Sequence, residues 1–244
     1  MNYSGVQIRY SFLYLLTVLH FSDFLVNKTA ESPYDIKAMQ STIDRIRDNY
    51  PPDTRNEYLE YKSLIVPTAK YLLKYNRCIF HSVSFIYQGR AWLLTAVSGT
   101  GKSTQYMNWT RLFPDEIQMI SGDMPILELS DDQGILVHPS PWNGKENIHN
   151  PLSAPLGGIV YLEQGHINQI KELSAHEGVI PVLRQFVKYG DDETEINTLM
   201  SIIRNMFENY PVMKMINRGD DDSTRLLRNE IKRYTGAAYE TICS

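Results

Sequence analysis

The chain has 244 residues, of which 43% are hydrophobic, with 14 glycines and 12 prolines, enough for one sizeable α/β domain with an accessory region. A formal net charge of −4 without clustered Lys and Arg excludes a dedicated nucleic-acid binder, because phosphate backbones demand such clusters. Two cysteines, Cys78 and Cys243, give neither a disulfide framework nor a metal spacing, so a reducing, cytoplasmic setting is expected.

Tyr10 to Val26 is the most hydrophobic stretch. His20, Ser22 and Asp23 interrupt it, and the uncharged run between Arg9 and Asp23 is too short to span a bilayer. With a weakly basic start and no small-residue cleavage site it reads as a buried strand or helix, and no membrane association is expected. Ile36, Met39, Ile43, Ile46 and Tyr50 recur at helical spacing, predicting a helix stopped by Pro51-Pro52. A tyrosine-rich segment through Tyr58 and Tyr61 follows, with Pro67 breaking it before Tyr71-Leu72-Leu73. Residues 1–75 are expected to form an accessory lid or packing layer, and residues 76–244 the main domain.

Ile79 to Tyr87 reads as a strand, Gln88-Gly89 as a tight turn, and Arg90 to Val97 as the returning strand. Pairing outward from the turn sets Tyr87 opposite Arg90 and His81 opposite Ala96. The returning strand runs into Ala96-Val97-Ser98-Gly99-Thr100-Gly101-Lys102-Ser103-Thr104, a phosphate-binding loop with Ala in the first of its two glycine positions. A polyphosphate needs many backbone N–H donors in a small concave turn, a cation and a hydroxyl for magnesium. Gly99 and Gly101 have no Cβ to hold the main chain away, Lys102 can reach the β and γ phosphates, and Ser103 can ligate the metal. Context raises the weight of the motif. The apolar Ala91-Trp92-Leu93-Leu94-Thr95 precedes it, and Tyr106, Trp109 and Phe113 recur at helical spacing after it. A nucleoside triphosphate, ATP with Mg2+, is the expected ligand.

Beyond that helix, Ile117 to Ile120 reads as a strand ending at Ser121-Gly122-Asp123. A carboxylate at a strand end beside a phosphate loop can ligate magnesium or take the proton of an attacking hydroxyl, and Asp123 is the candidate. His81 falls beside the loop if the hairpin register holds, and a hydrogen-bonded core histidine explains it equally well. Ile126 to Leu129 and Ile135 to Val137 form a hairpin around Asp131-Asp132-Gln133-Gly134. The loop Pro141 to Asn147 carries Lys145, which can clamp a phosphate or stand solvated.

Gly158 to Leu162 reads as a core strand and Ile167 to Leu173 as a partner strand. Ser174 and Glu177 make a capping box for a helix over 175–187. A helix over 193–209 precedes a strand from Val212 to Ile216, and Asp222 is expected to cap a last helix that Gly236 ends. His138, His149, His166 and His176 show no metal-ligand spacing, so no zinc is assigned.

The ordered set of His81, Ala96 to Thr104, Ser121-Gly122-Asp123 and Gly158-Ile159-Val160-Tyr161-Leu162-Glu163 resembles the catalytic domain of HPr kinase/phosphorylase. That superfamily also holds the ATP-dependent phosphoenolpyruvate carboxykinases. Small bacterial kinase-like proteins in it carry a Thr-Pro-Trp-x-Gly-Lys segment similar to Ser140-Pro141-Trp142-Asn143-Gly144-Lys145. The likeness spans about Ile79 to Ile216, and the first 75 residues resemble nothing specific.

The resemblance implies an α/β fold with a P-loop kinase core, its mixed, largely antiparallel sheet flanked by helices. It also implies transfer of a γ-phosphoryl group to a hydroxyl, a serine of a peptide or protein or a serine-like small molecule, and relatives that form oligomers imply a homo-oligomer. Carried over, Ser98, Gly99, Thr100, Gly101, Lys102, Ser103 and Thr104 hold the nucleotide, and Ser103 and Asp123 the magnesium. Asp123 accepts the proton, with His81 supporting it and Lys145 aiding the transferred group. Gly122 departs from the family pattern, which has an Asp pair here. One carboxylate must therefore do the work of two, or share it with Glu146. That departure motivates an alternative: a regulatory pseudokinase that binds nucleotide without transferring phosphate.

Overall fold

The computed structural model describes residues 1–3, 5–26, 33–97, 99–144, 150–187 and 192–242, with residues 236–242 as backbone only. Strands β1 (Asn2–Tyr3) and β2 (Val6–Ser11) pair antiparallel, and β3 (Tyr34–Lys37) adds parallel to β2, making a small N-terminal sheet. Between β2 and β3 runs a 3-10 helix, Leu15–Phe24. The sequence reading buries this whole stretch, but the structure does not. Thr17, Phe21 and Phe24 turn inward, while Leu13, Leu15, Leu16, Leu19 and Leu25 are exposed. A single thin helix lying on the surface has only one edge to bury.

Helix α1 (Gln40–Arg47) is shorter than the spacing predicts, because Ile36 already belongs to β3 and Met39 is exposed. Helices α2 (Asn56–Ser63) and α3 (Ile65–Leu73) meet at Leu64. Pro67 therefore breaks nothing: it sits in the first turn of α3, where its missing N–H has no helical partner to lose. On α2 the fully buried Glu60 carboxylate accepts from Leu13 N (2.5 Å), Tyr14 N (3.1 Å) and Thr17 Oγ1 (2.5 Å). It thus binds the two backbone N–H groups just before the 3-10 helix and, through Thr17, ties that helix to α2.

The main sheet follows. It contains β4 (Arg77–Ile79), β5 (Val83–Tyr87) and β6 (Arg90–Thr95); after helix α4 (Lys102–Leu112) come β7 (Ile117–Ser121), β8 (Ile126–Ser130), β9 (Gly134–His138) and β10 (Ala154–Gln164). Then come β11 (Gln169–Glu172), α5 (Ala175–Leu183), α6 (Glu193–Asn209), β12 (Val212–Asn217) and α7 (Asp221–Ile242). The strand order is β4-β8-β9-β10-β6-β5-β7, with β12 joined to β10 and β11 to β12. Strands β6, β10 and β12 are mutually parallel and the other pairings are antiparallel, so the molecule is a mixed α/β fold.

The predicted strand from Ile79 to Tyr87 is in fact two. Strand β4 pairs with β8 and β5 with β6, and between them the backbone bonds elsewhere: Phe80 N to Pro125 O, His81 N to Gln185 O and Ser82 N to Asp123 O. The hairpin register is as expected at Tyr87 and Arg90, but pairing stops at Val83 and Leu94. His81 therefore lies just past the strand end, where Thr95 Oγ1 donates to its carbonyl at 2.7 Å.

Along β6, alternation sends Trp92 and Leu94 to one face and Ala91 and Leu93 to the other. The first face packs with Trp109 of α4 and with Leu227 and Ile231 of α7. The second packs with Val182 of α5 and with Ile202 and Met206 of α6. Burial on both faces explains why β6 reads as an unbroken apolar run. Gly157 of β10 sits against Trp92, where a Cβ would come within 2.9 Å of the indole ring.

The capping box of α5 and the bounds of α6 are as read from the sequence. Helix α7 differs at both ends. Asp220, not Asp222, accepts from Ser223 N at 2.9 Å, and the helix continues through Gly236, since one interior glycine costs a long helix only about 1 kcal/mol. The accessory region packs on the main sheet through Phe21, Tyr61 and Leu64 against Ile79, Ile126 and Trp142. Among the described residues no helix is long and apolar enough to cross a membrane.

Candidate functional site

The parallel strand β6 ends at Thr95 and α4 starts at Lys102, so the glycine-rich segment joins a buried strand to a helix N-terminus. Gly99 and Gly101 have φ of +82° and +101°, in the left-handed region. No atom would crowd a Cβ at Gly99, so glycine is needed there for its backbone conformation and not for space. Thr100 closes the turn through its N and Oγ1, both donating to Val97 O. Lys102 arches back over the loop and donates to Ala96 O at 3.3 Å. Burial pushes its ammonium below the usual lysine range, and the Asp123 charge partly offsets that. Ser98 lies outside the described residues.

A cleft of about 420 Å³ opens beside this loop. Gly99, Gly101, Lys102, Ser103 and Thr104 form one wall; Tyr58, Lys62, His81 and Asp123 form the other. Asp123 is fixed twice by the segment that interrupts the β4–β5 run. Its carbonyl accepts from Ser82 N at 2.8 Å, and its Oδ1 lies 3.2 Å from His81 Nε2. Its Oδ2 faces Lys62 Nζ at 3.8 Å. Burial pushes the carboxyl pKa up, but the His81 hydrogen bond and the charges of Lys62, His81 and Lys102 outweigh it and hold the group below the usual aspartate range.

The structure thus brings together His81, Lys102, Ser103 and Asp123, all singled out from the sequence. Lys145 and Glu146 lie outside the described residues, although Gly144 lines the cleft and Trp142 is fixed by an indole N–H donated to Tyr61 O at 3.0 Å. Gly122 also lines the cleft, and Asp123 is the lone carboxylate among the described lining residues.

Sequence reasoning missed Lys62 and Tyr58. Both come from α2 in the accessory region, and Lys62 Nζ lies 5.5 and 5.4 Å from the ring centroids of Tyr58 and Tyr61. Its pKa is lowered by burial and raised in part by Asp123. The available signal was a lysine inside a tyrosine-rich helical run, which pays for its burial only with a carboxylate partner. Nothing in the spacing says that the partner is Asp123.

Magnesium is a hard cation that takes one or two carboxylates plus substrate phosphates and water. Ser103 and Asp123 offer such oxygens on facing walls of one cleft. Among the described residues no group of three or more His, Cys, Asp or Glu side chains could hold a metal ion.

No family model matches the chain, and no curated protein matches it. Among solved structures it is similar to the HPr(Ser) kinase/phosphatase from Coxiella burnetii, with a TM-score of 0.32 and 11% identity over 66% of this chain and 96% of that one. The relationship is a distant structural one.

Proposed function

We propose that this protein is an ATP-dependent, magnesium-requiring phosphotransferase that moves the γ-phosphoryl group to a hydroxyl, a serine of a peptide or protein or a serine-like small molecule. The observation that carries this reading is Asp123, held between His81 and Lys62 across the cleft from Lys102 and Ser103. The resemblance seen in the sequence motifs agrees with it.

In the proposed reaction the acceptor oxygen bonds to the γ phosphorus as the bond from that phosphorus to the β–γ bridging oxygen breaks. ADP leaves with the electron pair, and the hydroxyl proton passes to the Asp123 carboxylate. A carboxylate with a depressed pKa is a weak base, yet phosphoryl transfer through a loose transition state needs little proton abstraction until late. Asp123 then serves chiefly to orient the hydroxyl. Lys102 and Lys62 place positive charge on either side of the transferred group. Magnesium held by Ser103 and Asp123 would neutralise phosphate charge.

The test separates binding from transfer. Lys102→Ala should abolish nucleotide binding, whereas Asp123→Asn should keep binding and lose transfer of labelled phosphate to hydroxyl acceptors. Transfer by Asp123→Asn at the parental rate overturns the assignment. Tight binding of magnesium-ATP with no labelled product from any acceptor favours the regulatory alternative that Gly122 motivates.

A further inference from the structure

Away from the phosphate loop, four polar side chains are linked in series on the sheet face that meets the accessory region. Arg77 of β4 is opposite Glu128 of β8, and His138 of β9 is opposite Ile126, two positions from Glu128, so all three point to one face. Carrying the β9–β10 register one residue past the pair Val137 and Ala154 brings Ser153 beside His138. Arg77 donates to Glu128 Oε1 at 2.8 Å, Glu128 Oε2 lies 2.9 Å from His138 Nε2, and His138 Nδ1 lies 2.7 Å from Ser153 Oγ. A carboxylate has no proton to give, so Nε2 donates to Glu128 and Nδ1 of the neutral ring accepts the Ser153 O–H. Burial pushes His138 below the usual histidine range; Glu128 offsets part of that and Arg77 adds to it, so the ring is uncharged at pH 7.

The series runs from the interior to the surface. His138 is buried, whereas Ser153 is exposed on the wall of a separate cleft of about 440 Å³, which shares no residue with the one beside the phosphate loop. The rings of Tyr3, Phe24, Pro139 and Pro151 give this cleft apolar walls. Asn2 lines it too, and its Oδ1 accepts from Gly5 N at 2.8 Å, which leaves the amide NH2 as a donor. A hydroxyl bonded to a base that a third group orients is the arrangement of an activated nucleophile.

Independently of the kinase reading, we propose that this cleft is a second catalytic site, which hydrolyses small uncharged carboxylic esters with Ser153 as nucleophile and His138 as general base. Ser153 Oγ bonds to the ester carbonyl carbon as its proton passes to His138 Nδ1, and the Asn2 amide donates to the oxyanion that forms. The bond from that carbon to the alcohol oxygen then breaks; the alcohol leaves with the electron pair and takes the proton from Nδ1. Water attacks the acyl-serine in the same way, its proton passing to Nδ1 and on to Ser153 Oγ as the carboxylic acid departs. Glu128 and Arg77 touch no reacting atom and are positioning residues: they hold the tautomer with Nδ1 bare. Either imidazole nitrogen can serve as the base once the other donates, so presenting Nδ1 to the serine changes no step. Asp23 on the cleft wall disfavours an acyl group that carries its own carboxylate.

The experiment treats the full chain with a fluorophosphonate, which is attacked by activated serines, and measures p-nitrophenyl acetate and butyrate hydrolysis alongside. The expected result is one phosphonyl group per chain, on the peptide that carries Ser153, with ester hydrolysis lost in Ser153→Ala. His138→Ala should slow labelling by about 100-fold or more. Asn2→Ala and Glu128→Gln should each lower kcat for the esters by about 100-fold with KM little changed, a split that a loss of packing would not give. Ser153 is exposed, so Ser153→Ala carries the test even if the buried His138→Ala does not fold. Absence of label on the folded chain, label spread over other serines, or hydrolysis by Ser153→Ala at the parental rate overturns the proposal and leaves the kinase reading untouched. Parental kcat in Asn2→Ala removes the amide as the oxyanion donor.

Discussion

Lys62 on α2 and Asp123 beyond β7 lie 3.8 Å apart, Nζ to Oδ2, and this ion pair joins the accessory region to the candidate catalytic carboxylate. A cation therefore stands beside the lone carboxylate among the described residues that line the cleft. The residue comes from a region that the sequence reading left without chemistry.

Lys62→Met is expected to lower kcat/KM for phosphoryl transfer by roughly 100-fold, the scale of losing one preorganised charged donor, with AMP-PNP affinity little changed. Lys62→Arg should recover part of it. Steady-state kinetics beside calorimetry checks this, and an unchanged kcat/KM in Lys62→Met removes the residue from the site.

Asp123 sets an acid limb on stability. Its folded pKa is depressed, so its stabilising contribution is present above the unfolded value, about 3.9, and is lost as pH falls through the folded value. Urea midpoints of the parent and Asp123→Asn should differ at pH 7 and converge toward pH 3. A gap of constant size across that range contradicts the ion-pair account.

Lys102 works in the opposite sense. Its folded pKa is lowered by burial, so the charged form costs stability below the unfolded lysine pKa, and that cost disappears at alkaline pH. Lys102→Met should therefore match or exceed the parent in melting temperature at pH 7 without nucleotide, by up to a few degrees. The same variant should lose the upward shift that magnesium-ATP gives the parent. A thermal scan with and without nucleotide reads both outcomes.

Trp142 joins the two regions. It is fully buried, donates to Tyr61 O and meets the Phe21 ring edge-on with centroids 5.8 Å apart, while Tyr61 OH donates to Pro141 O at 2.9 Å. Trp142→Ala should cost about 3–5 kcal/mol of unfolding free energy by urea titration. A loss below about 1 kcal/mol indicates that the junction carries little of the fold.

How much was legible follows the range of each interaction. The capping box Ser174/Glu177, the helix over 193–209 and the turn at Gln88-Gly89 are local, so residue spacing was enough to place them. Local pattern misled where tertiary partners took over the backbone. Phe80, His81 and Ser82 looked like mid-strand residues until Pro125, Gln185 and Asp123 claimed their N–H groups. Ile36 fitted a helical period but pairs in β3, and Leu15 and Leu19 looked like core but lie on an outward edge.

By itself the sequence determined which strand and which helix flank the glycine-rich loop, because these lie within about twenty adjacent positions. Only the tertiary structure decided that Lys62 faces Asp123 from 61 positions away, and that His166 and Arg218 share a cleft on the other side of Gly101. Those pairings depend on how helices pack on the sheet and on which strands run parallel. Packing of that kind sums many weak contacts between distant segments and leaves no periodic mark in the chain.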